Sequence, residues 1–266
     1  HVSDFIYTES RLKLRHVVLS YLNLRLYRQK SIEKGLSINN AQLYGGLGGF
    51  IIEGEPCCGK SSLVHDILQS SHLRNNEDYC TILPSLPYNE KKRLLLDAFE
   101  EGKIVVMKNF NSSSMMEQLL NHLLMGRTPE GKRPKKPGFL LIGIQLAGRA
   151  LPSNALARRI QTCVLPAYDS KELHFILEKN GLKNDQTRET LISIYNQKRE
   201  QYKSKPGLTK PDFCQFMEVA ADYFPKRKRS MADEPSRFFS SKVPFYSFDD
   251  SLMSETPRKK ARSEQW

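Results

Sequence analysis

The chain has 266 residues, 39% hydrophobic and 26% charged, with a net charge of +12. That apolar content supports one large core or two small ones, and the positive excess favours polyanionic partners, although it equally describes a solvated basic surface. No apolar run approaches the ~18 residues of a membrane span and no cleavable signal pattern opens the chain, so no membrane partner is expected; the five cysteines match neither a zinc-ligand spacing nor a disulfide framework, the usage of an intracellular protein with reduced thiols.

In chain order, residues 11–34 read as a helix, with Leu12, Leu14, Val18, Leu19, Leu22, Leu24 and Leu26 at mixed helical spacing among many Arg and Lys. A Gly-rich approach loop covers 39–49. Residues 50–53 form a short buried strand and 61–70 a helix. Residues 79–83 are a second strand, stopped by Pro84, and 90–101 a helix with Leu94, Leu95, Ala98 and Phe99 on one face. The run 104–107 is wholly apolar, as central parallel strands are. A helix over 115–124, a basic Pro- and Gly-rich loop over 127–137, and strands over 139–144 and 163–165 complete the pattern. Strands alternating with helices predict an α/β fold, a parallel sheet sandwiched by helices. From about residue 170 the strand signals stop, and 171–180, 186–203 and 212–224 read as a small helical unit. The expected organisation is therefore an N-terminal helical segment over 1–44, a P-loop α/β core over 45–169, a helical lid over 170–224 and a disordered basic tail over 225–266.

Between the first strand and the helix that follows it lies Gly54-Glu55-Pro56-Cys57-Cys58-Gly59-Lys60-Ser61-Ser62. It fits G-x-x-x-x-G-K-[ST], the Walker A or P-loop pattern, in the strand-to-helix setting that the pattern requires. Such a turn aims backbone N–H groups and the positive end of the helix at a phosphate. Gly59 lets the backbone approach, Lys60 reaches the outer phosphate oxygens, and the Ser61 hydroxyl is the candidate metal ligand, for Mg²⁺. ATP or ADP is the cofactor so implied. Cys57 and Cys58 read as small residues in a tight turn, with a lowered thiol pKa beside Lys60 as the alternative.

The order of strand, P-loop, "EEGKIVVMKNFNSSSMMEQLLNHLLMGRTPEG", "PGFLLIGIQLAGRALPSNALARRI" and then helices resembles an AAA+ ATPase module, and more narrowly its dynein-related and midasin-type branch, over 45–224. The resemblance implies an arginine finger acting in trans at Arg159, with Arg158 as second candidate; surface placement is the plain alternative. It implies a Walker B strand ending in Asp-Glu, where this chain has Lys108 and Asn109. It implies a sensor-1 polar residue where Leu146 stands next to Gln145, and a sensor-2 Arg where Pro211 stands, or Lys210 with a one-residue shift. Asn109 can orient water but accepts no proton. Loss of the water-activating Glu alone slows hydrolysis by ~10²–10⁴. The expectation is a degenerate AAA+ module that binds nucleotide, hydrolyses it poorly or not at all, and serves as a switch or scaffold beside other AAA+ modules or copies of itself in a ring or oligomer. The alternatives are an active ATPase that recruits acids from elsewhere, Glu53 or Asp97, and a basic module binding nucleic acid or protein.

Basic clusters occur at 132–136, 226–229 and 258–262. The last two resemble nuclear localisation signals, so a nuclear import receptor is a candidate partner and the location is nuclear or cytoplasmic. The tail aromatics Phe238, Phe239, Phe245, Tyr246 and Phe248 suit a segment that docks on a protein partner. No base-reading motif accompanies the basic loop, so any nucleic-acid contact is expected to be non-specific.

Overall fold

A computed structural model describes residues 5–35, 46–110, 113–148, 153–204 and 211–224; the tail, both of its basic clusters and Lys210 lie outside them. The sheet has five strands: β1 (Gly49–Gly54), β2 (Tyr79–Ile82), β3 (Ile104–Lys108), β4 (Leu140–Leu146) and β5 (Ile160–Leu165). Their order is β2-β3-β4-β1-β5, and every pairing is parallel. From β1 the chain crosses through α2 (Lys60–Ser70) to the far edge at β2. It returns through α3 (Tyr88–Glu100), β3, α4 (Ser114–Leu124) and β4 to lie beside β1. The short α5 (Asn154–Ala157) then leads to β5 on the other side. No strand or helix is expected over α5 from the sequence pattern, and β5 starts three residues before the expected strand. Gln161 and Thr162 pair with Phe50 and Ile51 by backbone alone, and their exposed side chains leave no apolar pattern.

Alternate residues along each strand fill two cores. Phe50, Ile52, Val106 and Ile142 pack under α1 (Glu9–Glu33) and α2; Ile51, Val105, Met107 and Leu141 pack under α3 and α4. Both faces are thus buried, which is why the central strands read as continuous apolar runs. A third core, including Leu173, Ile176, Leu191, Phe213 and Phe216, unites α6 (Ser170–Lys179), α7 (Asp185–Ser204) and α8 (Phe213–Ala221). A capping box between Asp169 and Glu172 starts α6.

Helix α1 departs from the simple reading of its leucines. Leu12, Leu24 and Leu26 are exposed, while the buried stripe is Arg11, Leu14, Val18, Leu22 and Arg25. Two arginines therefore occupy core positions, and each is paid for with backbone carbonyls. Arg25 donates through Nε to Gly102 O and Gly138 O, 3.1 Å each. These acceptors lie in the turns that lead into β3 and β4, at the amino edge of the sheet. Arg11 serves the opposite edge.

Candidate functional site: the loop between β1 and α2

The carboxyl end of β1 is where the strand order changes direction, with β4 on one side and β5 on the other. In open parallel sheets, ligands settle at such a switch point. Gly54 ends β1 in close contact with its neighbours: a Cβ there would meet Leu165 O at 2.5 Å and Cys58 Sγ at 2.9 Å. Gly59 has φ 88° and is the N-cap of α2, a left-handed position that glycine adopts without strain. Cys57 is left-handed too, at φ 55°. Pro56 is exposed, and Ser61 and Ser62 are half-buried in the first turn of α2.

Lys60 is 7% exposed. Its Nζ donates to Gly54 O at 3.1 Å and Glu55 O at 2.5 Å, and lies 3.7 Å from Cys58 Sγ. The ammonium is held by the loop's own carbonyls. A phosphate oxygen would give it a charged acceptor in their place, a stronger bond than a neutral one. Burial pushes the Cys58 thiol pKa up, against the smaller downward pull of Lys60 and Arg11. Cys58 is therefore no activated thiolate and fits the reading of a small residue in a tight turn.

Three contacts hold the loop from behind and above. Arg11, 0% exposed, donates to Cys58 O at 3.1 Å and Pro166 O at 2.9 Å, pairs with Glu172 at 3.1 Å, and stacks on the Tyr168 ring with its guanidinium carbon 3.6 Å from the centroid. Arg199 of α7 pairs with Glu55 at 3.2 Å. Cys57 packs against the core of the helical unit. The same unit shields the phenol of Tyr195, whose pKa burial pushes up to about 12.

The carboxyl end of β3 is separated from β1 by β4. Lys108 pairs in register with Ile144, on the face that carries α2. Burial lowers the His65 pKa on that face, and Lys108 lowers it further against the opposing pull of Asp66. Asn109 is left-handed at φ 50°, and its buried Oδ1 has no hydrogen-bond partner. A cleft of about 370 Å³ opens beside it, lined by Ile82, Tyr88, Lys91, Lys108, Asn109 and Ser113. Between the two strand ends, Gln145, 2% exposed, donates through Nε2 to Glu53 Oε2 at 2.9 Å. Leu146 is half-buried beside it, and Pro211 is buried just before α8.

The remaining candidates sit elsewhere. Arg159 precedes β5, and its carbonyl accepts from Gly49 N at the start of β1. With β1 six residues long, that is roughly 16 Å from the P-loop at ~3.3 Å per residue. Its guanidinium binds Ala155 O at 2.5 Å and Asn121 Oδ1 at 3.3 Å within the same chain. Arg158 is exposed. Asp97 lies in the last turn of α3, paired with Arg93 at 3.1 Å, and so belongs to the amino edge of the sheet.

No protein-family model matches the chain, and neither does any curated protein. The site therefore stands on its own geometry. For phosphate the fit is good: the left-handed Gly59 puts the start of α2 beside the buried Lys60, and the bare Cα of Gly54 lets Leu165 and Cys58 pack closely behind the loop. For Mg²⁺ it is poor, because Ser61 offers one hydroxyl while β3 presents a cation, Lys108, where an anionic ligand would be needed. Among the described residues no helix is long and apolar enough to cross a membrane.

Sequence reasoning missed Arg11, Glu172, Arg199 and the Glu53–Gln145 pair. Arg11 sits in a helix full of Arg and Lys, and nothing in one sequence marks which of them turns inward. Glu172 carried a legible signal, as position N3 of the Asp169 capping box. That signal points only to a helix start and not to Arg11.

Proposed function

We propose that this chain is a nucleotide-binding module of the AAA+ type, one that holds ATP or ADP at residues 54–62, hydrolyses it slowly or not at all, and acts as a switch or scaffold within a larger assembly. The observation that carries this reading is the loop at the carboxyl end of β1, with its Gly54 approach, left-handed Gly59 and Lys60 bound by loop carbonyls. The order of elements supports it: P-loop strand, β3 ending in Lys108, β4, α5 ending before Arg158 and Arg159, then a helical unit whose Arg199 reaches Glu55.

In this reading the backbone N–H groups of the loop and the start of α2 bind the phosphates, and Lys60 leaves Gly54 O and Glu55 O for a phosphate oxygen. Weak chemistry follows from β3: no carboxylate at Lys108 or Asn109 takes a proton from water. Arg159 lies too far from its own P-loop to serve it, so any finger role acts on a neighbouring copy or module. Affinity in the micromolar range, about −8 kcal/mol, is expected. Calorimetry with ATP and ADP, with and without Mg²⁺, tests the reading. Absence of heat with either nucleotide on folded protein overturns it, and robust turnover that disappears in Lys60→Ala overturns the claim of weak hydrolysis.

One observation favours a second reading, an active ATPase. Glu53 directly precedes the P-loop and is oriented by the buried Gln145: it is held by an amide at the sheet's carboxyl edge, whereas Glu55 and Glu172 are paired with Arg199 and Arg11. Under this reading Glu53→Gln abolishes turnover and leaves nucleotide affinity intact. For the tail, the proposal is nuclear import through the clusters at 226–229 and 258–262. Residues 225–266 fused to a cytosolic reporter are expected to move it into the nucleus, and alanine at both clusters to return it.

A further inference from the structure

The cysteine spacing alone fits no metal site, yet the fold brings two of the five cysteines together with a carboxylate. Cys57 of the P-loop, Asp212 at the N-cap of α8 and Cys214 in its first turn offer three ligand atoms all within 4.8 Å of one another, each residue half-buried. We infer that these three residues form a binding site for a thiophilic divalent cation, Zn²⁺, which fastens the P-loop to the helical unit.

The geometry is close to what the ion needs. Zn–S bonds of ~2.3 Å in a tetrahedron put two sulfurs about 3.8 Å apart, a separation inside the 4.8 Å within which the three ligand atoms already lie. The donor set selects the metal: two thiols and one carboxylate suit Zn²⁺ and not Mg²⁺ or Ca²⁺, which take oxygen. The Asp212 carboxylate already accepts the Gln215 N–H at 2.9 Å through Oδ1. A carboxylate has two oxygens, so the cap and a metal bond are compatible. Cys57 is turned by its left-handed backbone, φ 55°, and packs against the helical core, beside α8. On binding, the two thiols release two protons to solvent and the metal gains two thiolates and one carboxylate oxygen, leaving a fourth position for water or another ligand. Among the described residues the other half-buried or buried cysteines, Cys58, Cys80 and Cys163, form no such group.

The site does not depend on the nucleotide reading, because the metal alone is the probe. The full chain, stripped with a chelator and kept reduced with a phosphine, is titrated with Co²⁺ and then Zn²⁺. One equivalent of Co²⁺ is expected to give thiolate charge-transfer and tetrahedral ligand-field bands, which one equivalent of Zn²⁺ removes. Cys57→Ser and Cys214→Ser should each abolish the stoichiometric charge-transfer band with the far-ultraviolet circular dichroism unchanged. Asp212→Asn keeps the cap acceptor and should weaken Co²⁺ binding at least tenfold. Cys80→Ser should bind as the parent does. No band at one equivalent overturns the inference, as do undiminished bands in both cysteine variants, or a Cys57–Cys214 disulfide found by mass spectrometry in a protein that takes up no metal after reduction.

Discussion

Two strand ends of one sheet carry opposite equipment. The carboxyl end of β1 gathers the groups that the proposed phosphate grip would use: a glycine in close contact, a left-handed cap, a buried lysine and an arginine bracing the loop from behind. The carboxyl end of β3, one strand beyond β4, offers a lysine and an asparagine. Binding a phosphate needs only donors and positive charge, whereas activating water needs a base within reach of the reacting centre. The two tasks are physically separable: the β1 end presents the donors that the proposed grip would use, and Lys108 and Asn109 at the β3 end present no base.

The largest effect is expected where the grip is braced. Arg11→Met keeps the stem but leaves Cys58 O, Pro166 O and Glu172 without the guanidinium. Removing one member of such a buried charged network costs about 3 kcal/mol, which should lower the melting temperature by about 6–12 °C in a domain of this size. An unchanged melting temperature would remove the brace from the comparison. Next comes Lys60→Ala, for which titration should show nucleotide affinity reduced at least 100-fold, about 2.7 kcal/mol. If affinity survives, the β1 end is not the grip.

The β3 end is sharpened by Lys108→Asp together with Asn109→Glu. Exchanging a cation for two acids should make nucleotide affinity about tenfold stronger in Mg²⁺ than in a chelator, about 1.4 kcal/mol, where the parent shows little difference. A parent that already depends on Mg²⁺ to that extent erases the contrast between the two ends. Arg199→Ala breaks a partly exposed pair with Glu55 and should cost under about 1 kcal/mol by denaturant unfolding. Its larger readout is the helical unit itself, where proteolysis should be faster while nucleotide affinity is preserved.

The smallest effect is a pH dependence. Burial, with Lys108 nearby, lowers the His65 pKa from its ordinary 6.5. Below that value the unfolded chain binds a proton that the folded chain refuses, so stability should fall as pH drops through 6.5 until folded His65 itself protonates. His65→Gln should flatten this part of the stability–pH curve, and Lys108→Met should reduce it. A curve identical to the parent's in His65→Gln would show that His65 does not sense the charge at the end of β3.

What the sequence determined by itself was local. The apolar runs at 50–53 and 104–107 specify buried parallel strands because both faces are covered. The P-loop pattern is legible because glycine, lysine and serine stand at fixed offsets in a strand-to-helix turn. That Lys108 and Asn109 stand where a Walker B strand would end in two acids is legible only through the resemblance to an AAA+ module. The tertiary structure alone decided what depends on pairing between distant segments. Strand order is one case, since β4 lies between β1 and β3 through packing of crossover helices that no strand encodes. Arg11 and Arg25 are another: they are buried while Leu12, Leu24 and Leu26 are exposed, because carbonyls from Cys58, Pro166, Gly102 and Gly138 wait at the two edges of the sheet. The meeting of Cys57 with Asp212 and Cys214 is the third. A ligand set spread over more than a hundred positions leaves no spacing to read, and it exists only once the helical unit packs on the loop.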